Sequence, residues 1–177
     1  MRKREVRKHG LSITAQRTEV DSMRRSDREI TSKKAIEDFI AEEKILRIAF
    51  YDDGDIYIVP VNYGCLFEND KYTFYFHGAK AGRKYELSKR KPVVGFEIDG
   101  KYKLLENEMA CDFSAAFQSV IGTGTLQLVD DVEEKKIGLN ALMKQTTQHS
   151  EWSYNGKTLE AVAVFRLDVH KISCKSK

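Results

Sequence analysis

The chain has 177 residues, with 30 lysines and arginines against 27 aspartates and glutamates, a net charge of +3 and an apolar fraction of 41%. That is the size and composition of one globular domain with a real core, and the charges are scattered, so no block in the body would track a phosphate backbone and nucleic acid is not the expected partner. No apolar run approaches the roughly 18 residues of a membrane span, and the N-terminus lacks the apolar stretch of a secretory signal; a cytoplasmic protein is expected. Cys65, Cys111 and Cys174 are odd in number and widely spaced, which argues against a disulfide framework or a zinc knuckle and fits reduced thiols.

Residues 1–22 are basic, poor in apolar side chains and without a clean period. They read as an extension, either a flexible arm or sequence upstream of a working start at Met23, ahead of a domain over 23–177. Thr31 or Ser32 can cap a helix to about Glu43 whose Ile36, Phe39 and Ile40 share one face. Residues 45–50 then read as a strand, Asp52-Asp53-Gly54-Asp55 as a tight turn, and residues 56–63 as the hairpin partner. A third strand, 71–77, follows the polar turn Glu68-Asn69-Asp70.

A short helix over 82–90 is stopped by Lys91-Pro92 before a strand at 93–98. Asp99-Gly100 reads as a turn, followed by a less regular extended stretch and a strand at 118–129. Asp131 with Glu134 forms a capping-box-like start to a helix carrying Ile137, Ala141 and Leu142. The last strand, 161–172, alternates Ala163, Phe165, Leu167 and Val169 inward with Arg166, Asp168 and His170 outward. Six or seven strands in antiparallel-looking succession, with three short helices and no run of βαβ units, predict a mainly β fold that closes wholly or partly into a barrel.

Chemistry concentrates in His77-Gly78-Ala79-Lys80-Ala81-Gly82-Arg83-Lys84, between a strand end and a helix start. Small residues there allow close backbone approach, and Lys80, Arg83 and Lys84 supply positive charge, an outline of a phosphate site that a solvated basic helix face would also explain. Val59, Pro60, Val61 and Asn62 lie in a strand that Pro60 marks as an edge, a bulge or a parting of the sheet, where backbone groups are left for a flat ligand such as a flavin ring; an ordinary bulged strand reads equally well. His77 titrates near neutrality and is the candidate acid, base or substrate contact. Ser119, Val120, Ile121 and Gly122 begin a stretch whose two glycines, Gly122 and Gly124, thin one face for another backbone or a ligand. Trp152, the single tryptophan, could cover a ring from the segment 150–157. His9, His149 and His170 are too scattered for a metal site, and none is assigned.

Met23-Arg24-Arg25 with Asp27-Arg28-Glu29-Ile30, then Val59-Pro60-Val61-Asn62-Tyr63-Gly64, Tyr75-Phe76-His77-Gly78-Ala79 with Gly82-Arg83-Lys84, and Ser119-Val120-Ile121-Gly122-Thr123-Gly124 together resemble the nitroimidazole-resistance (Nim-like) family of the pyridoxamine 5'-phosphate oxidase-like superfamily. The resemblance implies an antiparallel split β-barrel that forms a homodimer, with two flavin sites at the subunit interface. It places the flavin phosphate against Lys80, Arg83 and Lys84, the ring along Val59, Pro60, Val61 and Asn62, and His77 near the ring. Ser119, Val120, Ile121, Gly122 and the Trp152 region would complete the pocket, from the partner subunit. FMN is the default cofactor; related split barrels take FAD or haem. The implied function is a flavin-dependent oxidoreductase moving electrons from a small-molecule donor to a small acceptor, such as a nitro-aromatic compound. The alternative is a flavin- or haem-binding module without turnover.

Overall fold

The computed structural model of the chain describes residues 24–149 and 151–177; the basic segment 1–22 lies outside the described residues. Seven antiparallel strands form one sheet in the order β2-β1-β5-β6-β7-β4-β3. They are β1 (Ile45–Asp52), β2 (Asp55–Asn62), β3 (Gly64–Glu68), β4 (Lys71–Ala79), β5 (Val93–Leu105), β6 (Ser114–Val129) and β7 (Val162–Ser176). Four α-helices accompany them: α1 (Lys33–Glu42), α2 (Arg83–Ser88), α3 (Val132–Thr147) and α4 (Gly156–Ala161).

The strand order itself shows that the sheet is curled. β2 and β3 occupy its two opposite edges, yet they are joined by Tyr63 alone. One residue spans only about 3.5 Å, so the edges must meet at that corner and the sheet must wrap into a barrel. Residues 64–68 are a strand where the sequence reading, which ended its second strand at Tyr63, had no element, because no turn residue marks the change of partner. Tyr63 is fully buried there, and its hydroxyl donates to the Ile40 carbonyl at 2.6 Å. Gly64 follows because α3 crosses its Cα so closely that a Cβ would collide with the backbone of Ala141 and Leu142.

The barrel interior is filled by alternate residues of every long strand: Leu46, Ile48 and Phe50, then Phe74 and Phe76, Phe96 and Ile98, Val120 and Leu126, Phe165 and Leu167. This is the period-2 burial expected of strands with one face inward. A second, smaller cluster lies outside the barrel, where α3 and α4 cover Tyr75, Val129 and Val164 with Leu139 and Leu159. Ser32 caps α1, accepting from the Ala35 N–H, and Ile36, Phe39 and Ile40 are its buried residues. Asp131 caps α3, accepting from the Glu134 N–H at 2.8 Å. The Asp53 and Gly54 backbones both have positive φ, which the two-residue hairpin between β1 and β2 requires.

Several expectations are corrected. Asp99-Gly100 is not a turn: β5 runs through it to Leu105, absorbing an irregularity between Gly100 and Lys103 in its pairing with β6. The Glu43 carboxylate occupies the place a side chain on Gly100 would need, so the glycine serves close packing rather than reversal. Ile137 lies off the buried side of α3 and is 51% exposed, while Leu139, Ala141 and Leu142 are buried. Residues 156–160, left without an element, begin a fourth helix capped by Asn155, and β7 starts at Val162. In β7 the inward parity of Ala163, Phe165 and Leu167 shifts at an irregularity opposite Thr123/Gly124, after which Ile172 and Cys174 face the core.

Candidate functional site

The closure of the barrel is incomplete, and the incompleteness makes the site. β2 pairs only with β1, so its second edge meets no strand. On the other side β3 covers β4 from Lys71 only as far as Tyr75, which leaves one edge of Phe76, His77, Gly78 and Ala79 unpaired. Two bare edges therefore flank a slot whose apex is the Tyr63 corner, with β2 and β4 in contact across it. Backbone N–H and C=O groups on such edges are obligatory hydrogen-bonding groups available to a ligand.

The far end of the slot is closed by side chains. Arg83, the first residue of α2, reaches back to the β1–β2 turn, where Nε donates to Asp52 at 2.9 Å and Nη2 to Asp55 at 2.8 Å. Its guanidinium carbon lies 4.8 Å from the centre of the Tyr57 ring. Lys84 turns the other way, placing Nζ 5.2 Å from the Phe76 ring centre and 5.0 Å from that of Phe165. A Cβ on Gly78 would lie 3.1 Å from Nζ, so the glycine leaves the ammonium room to sit against the strand. Among the described residues Lys84 has no carboxylate partner, and burial lowers its pKa from the usual lysine value. Lys80 lies exposed on the connection between β4 and α2.

His77 follows Phe76 on β4, and alternation turns its side chain outward, beside the slot. Partial burial, and then the charge of Lys84, hold its imidazole below the ordinary histidine range, so the neutral ring is favoured near pH 7. The β2 residues divide by parity. Val59 and Val61 pack into the barrel core, Pro60 faces outward, and the Asn62 side-chain amide donates to the Lys44 carbonyl at 3.1 Å. What β2 offers a ring is thus its bare edge and the outward surface of Ile58 and Pro60.

The structure does not bring the remaining expected residues to this slot. β6 lies between β5 and β7, away from both bare edges, so Ser119, Val120, Ile121 and Gly122 stand on another wall of the same barrel. Val120 is fully buried in the core. Gly122 and Gly124 thin the inner face: Gly122 is packed against Phe96 and the Lys171 carbonyl, Gly124 against Leu167 and the Asp168 carbonyl. Ile121 points outward and is 53% exposed, on the rim of a depression of about 570 Å³ over β6 and β7. Trp152 follows α3, its indole N–H donating to the His149 carbonyl at 3.0 Å and its ring edge-on to His149. Asp52, Asp55 and Tyr57 went unnoticed as site residues, since an acidic turn gives no sign of which cation the closed barrel will bring to it.

A family model described as pyridoxamine 5'-phosphate oxidase matches residues 32–176. The chain belongs to the pyridoxamine 5'-phosphate oxidase family. Within it, the chain is similar to a protein of Bacteroides thetaiotaomicron assigned as a 5-nitroimidazole antibiotic resistance protein, with 28% identity, 84% of this chain and 86% of that chain covered, and a TM-score of 0.71. The flavocytochrome Anf3 of Azotobacter vinelandii matches at 19% identity over 88% of this chain and 72% of its own, with a TM-score of 0.71. An FAD and haem binding protein of Mycobacterium smegmatis matches at 15% identity over 85% and 73%, with a TM-score of 0.74. At such identities the last two share the fold of this pyridoxamine 5'-phosphate oxidase family member. No curated protein sequence matches significantly.

Among the described residues no cluster of His, Cys, Asp and Glu could hold a metal ion, and no described helix is long and apolar enough to cross a membrane. Cys65, Cys111 and Cys174 are all unpaired thiols.

Proposed function

We propose that this chain is a flavin-dependent oxidoreductase that holds FMN in the slot between β2 and β4. The observation that carries the reading is the slot itself: two unpaired strand edges ending at a half-buried ammonium that has no carboxylate partner among the described residues. Lys84, and Lys80 on the connection before α2, would bind the phosphate as charge-assisted donors; the edge of Val59, Pro60, Val61 and Asn62 would hydrogen-bond the polar rim of the ring. His77 stands where it can meet a substrate on the outer face. When bound, FMN would supply the redox chemistry, taking electrons from a nicotinamide donor and passing them to a small acceptor such as a nitro-aromatic compound. The kinship with the Bacteroides protein supports that acceptor class.

The slot of one chain lacks a cover over the ring, and the outer sheet face beside it is apolar. Ile58 pairs with Ala49, Ala49 with Gly95 and Gly95 with Thr123, a row of small and apolar residues across four strands. Ile58 is 59% exposed and Val93 64%. A contiguous apolar sheet face of this kind is what a second copy would cover, so the functional unit is proposed to be a homodimer. Ser119, Ile121, Gly122 and Trp152 would then serve the partner's site rather than their own. The free thiols support a reducing, cytoplasmic location.

The test is an absorption spectrum of the purified protein with mass spectrometry of whatever denaturation releases, followed by NADH and NADPH oxidation. Flavin bands, an FMN mass and turnover faster than an equal concentration of free FMN are expected. A flavin-loaded protein that oxidises neither donor faster than free flavin would be a binding module for those donors, and a Soret band would replace the flavin by haem.

A further inference from the structure

The slot ends in two adjacent cations whose surroundings differ. Among the described residues Lys84 has no carboxylate partner, whereas Arg83 shares its N–H donors between two carboxylates from the opposite side of the slot. Asp52 takes Nε and Nη2 together, Asp55 takes Nη2, and Tyr57 lies under the guanidinium face. The Nε–Nη2 edge is one a phosphate would use for a bidentate contact, and here it is already filled. One guanidinium with two carboxylates leaves this group with a net charge of about −1 at the closed end of the slot.

We infer that Asp52 and Asp55 are specificity residues: they set how tightly the slot holds a ligand ending in a phosphate monoester. This rests on the reading that the slot takes FMN. A phosphate monoester carries nearly two negative charges at neutral pH, so bound at Lys84 it would draw on the neighbouring Arg83, whose Nε–Nη2 edge Asp52 and Asp55 already hold. The turn thereby weakens binding of the phosphate end and leaves the phosphate-free part of the ligand unaffected. The two carboxylates do not contribute equally. The Asp52 side chain is 22% exposed and that of Asp55 67%, so solvent screens Asp55 more and Asp52 dominates.

The experiment compares the full chain with Asp52→Asn, Asp55→Asn and the double variant, titrating each with FMN, with riboflavin, which lacks the phosphate, and with inorganic phosphate. Asparagine keeps the size and one acceptor oxygen, and the exposed position of Asp55 makes Asp55→Asn safe for folding. In the double variant FMN and inorganic phosphate are expected to bind about tenfold more tightly, most of it from Asp52→Asn, with riboflavin unchanged and Asp52→Glu like the parent. Unchanged or weaker FMN binding would overturn the inference and leave the flavin reading intact, as would a parallel gain for riboflavin. If the parent bound neither flavin while inorganic phosphate still tightened in the double variant, the flavin reading would fail and the role of the acidic turn would stand. Inorganic phosphate bound by none of the proteins would overturn the role of the turn.

Discussion

At the scale of single residues, His77 offers a direct check of the site's electrostatics. Its folded pKa lies below the ordinary 6.5, first through burial and then through Lys84. Between 6.5 and the lowered folded value the unfolded chain binds more protons, so His77 makes stability fall as the pH drops through that window and contributes nothing above it. His77→Asn is therefore expected to flatten the acid side of a Tm-against-pH curve below pH 6.5 and to leave the neutral side alone. In Lys84→Met the His77 resonances should titrate closer to 6.5 yet still below it, because burial remains. A His77 titration that did not move would separate the two residues. Gly122 is decided by packing instead: with Phe96 and the Lys171 carbonyl against its Cα, Gly122→Ala is expected to cost about 1–3 kcal/mol in urea unfolding. The sequence marked both positions as special, and of the two occupants it allowed at Gly122, another backbone or a ligand, the chain supplies a backbone, the Lys171 carbonyl, beside Phe96.

At the scale of elements, the helices are held by polar contacts as much as by apolar faces. Gln145 of α3 donates its side-chain N–H groups toward the carbonyls of Ile40, Ala41 and Glu43, so one amide satisfies the end of α1 and fixes the angle between the two helices. Gln145→Ala takes this donor from the Glu43 carbonyl and leaves the Ile40 carbonyl to the Tyr63 hydroxyl and the Ala41 carbonyl to Lys44, and is expected to lower stability by about 1–3 kcal/mol without changing flavin affinity. A loss below 0.5 kcal/mol, roughly that of an ordinary surface substitution, would show that water replaces the amide. The caps at Ser32 and Asp131 were legible in the sequence because capping is local. The Gln145 contact was not, since it joins residues about a hundred positions apart. The strand that starts after Tyr63 was hidden for a similar reason: no turn residue precedes it, and only the change of pairing partner shows that one strand has ended and another begun.

For the whole molecule, closure and assembly are the properties to test. The outer face of Ile58, Ala49, Gly95 and Thr123 is proposed to meet a second copy, so Ile58→Glu should shift sedimentation from dimer toward monomer and reduce flavin occupancy in parallel. A parent protein that sediments as a monomer at micromolar concentration would remove the shared-site proposal. The fold itself does not depend on that outcome, because both hydrophobic clusters are completed within one chain.

Sequence by itself determined the class of fold, most of the elements and the group of residues at which chemistry would collect. Hairpin turns, caps and period-2 burial are short-range properties, and His77, Lys80, Arg83 and Lys84 lie within eight consecutive positions. Tertiary structure decided what those residues can do. Only curling the sheet until β2 and β3 meet brings Asp52 and Asp55 to Arg83, leaves Lys84 without a carboxylate partner among the described residues, and turns Val59 and Val61 away from the slot they border. Coulomb interactions and desolvation act through space, so adjacency along the chain made Arg83 and Lys84 look alike and the closed barrel made them different.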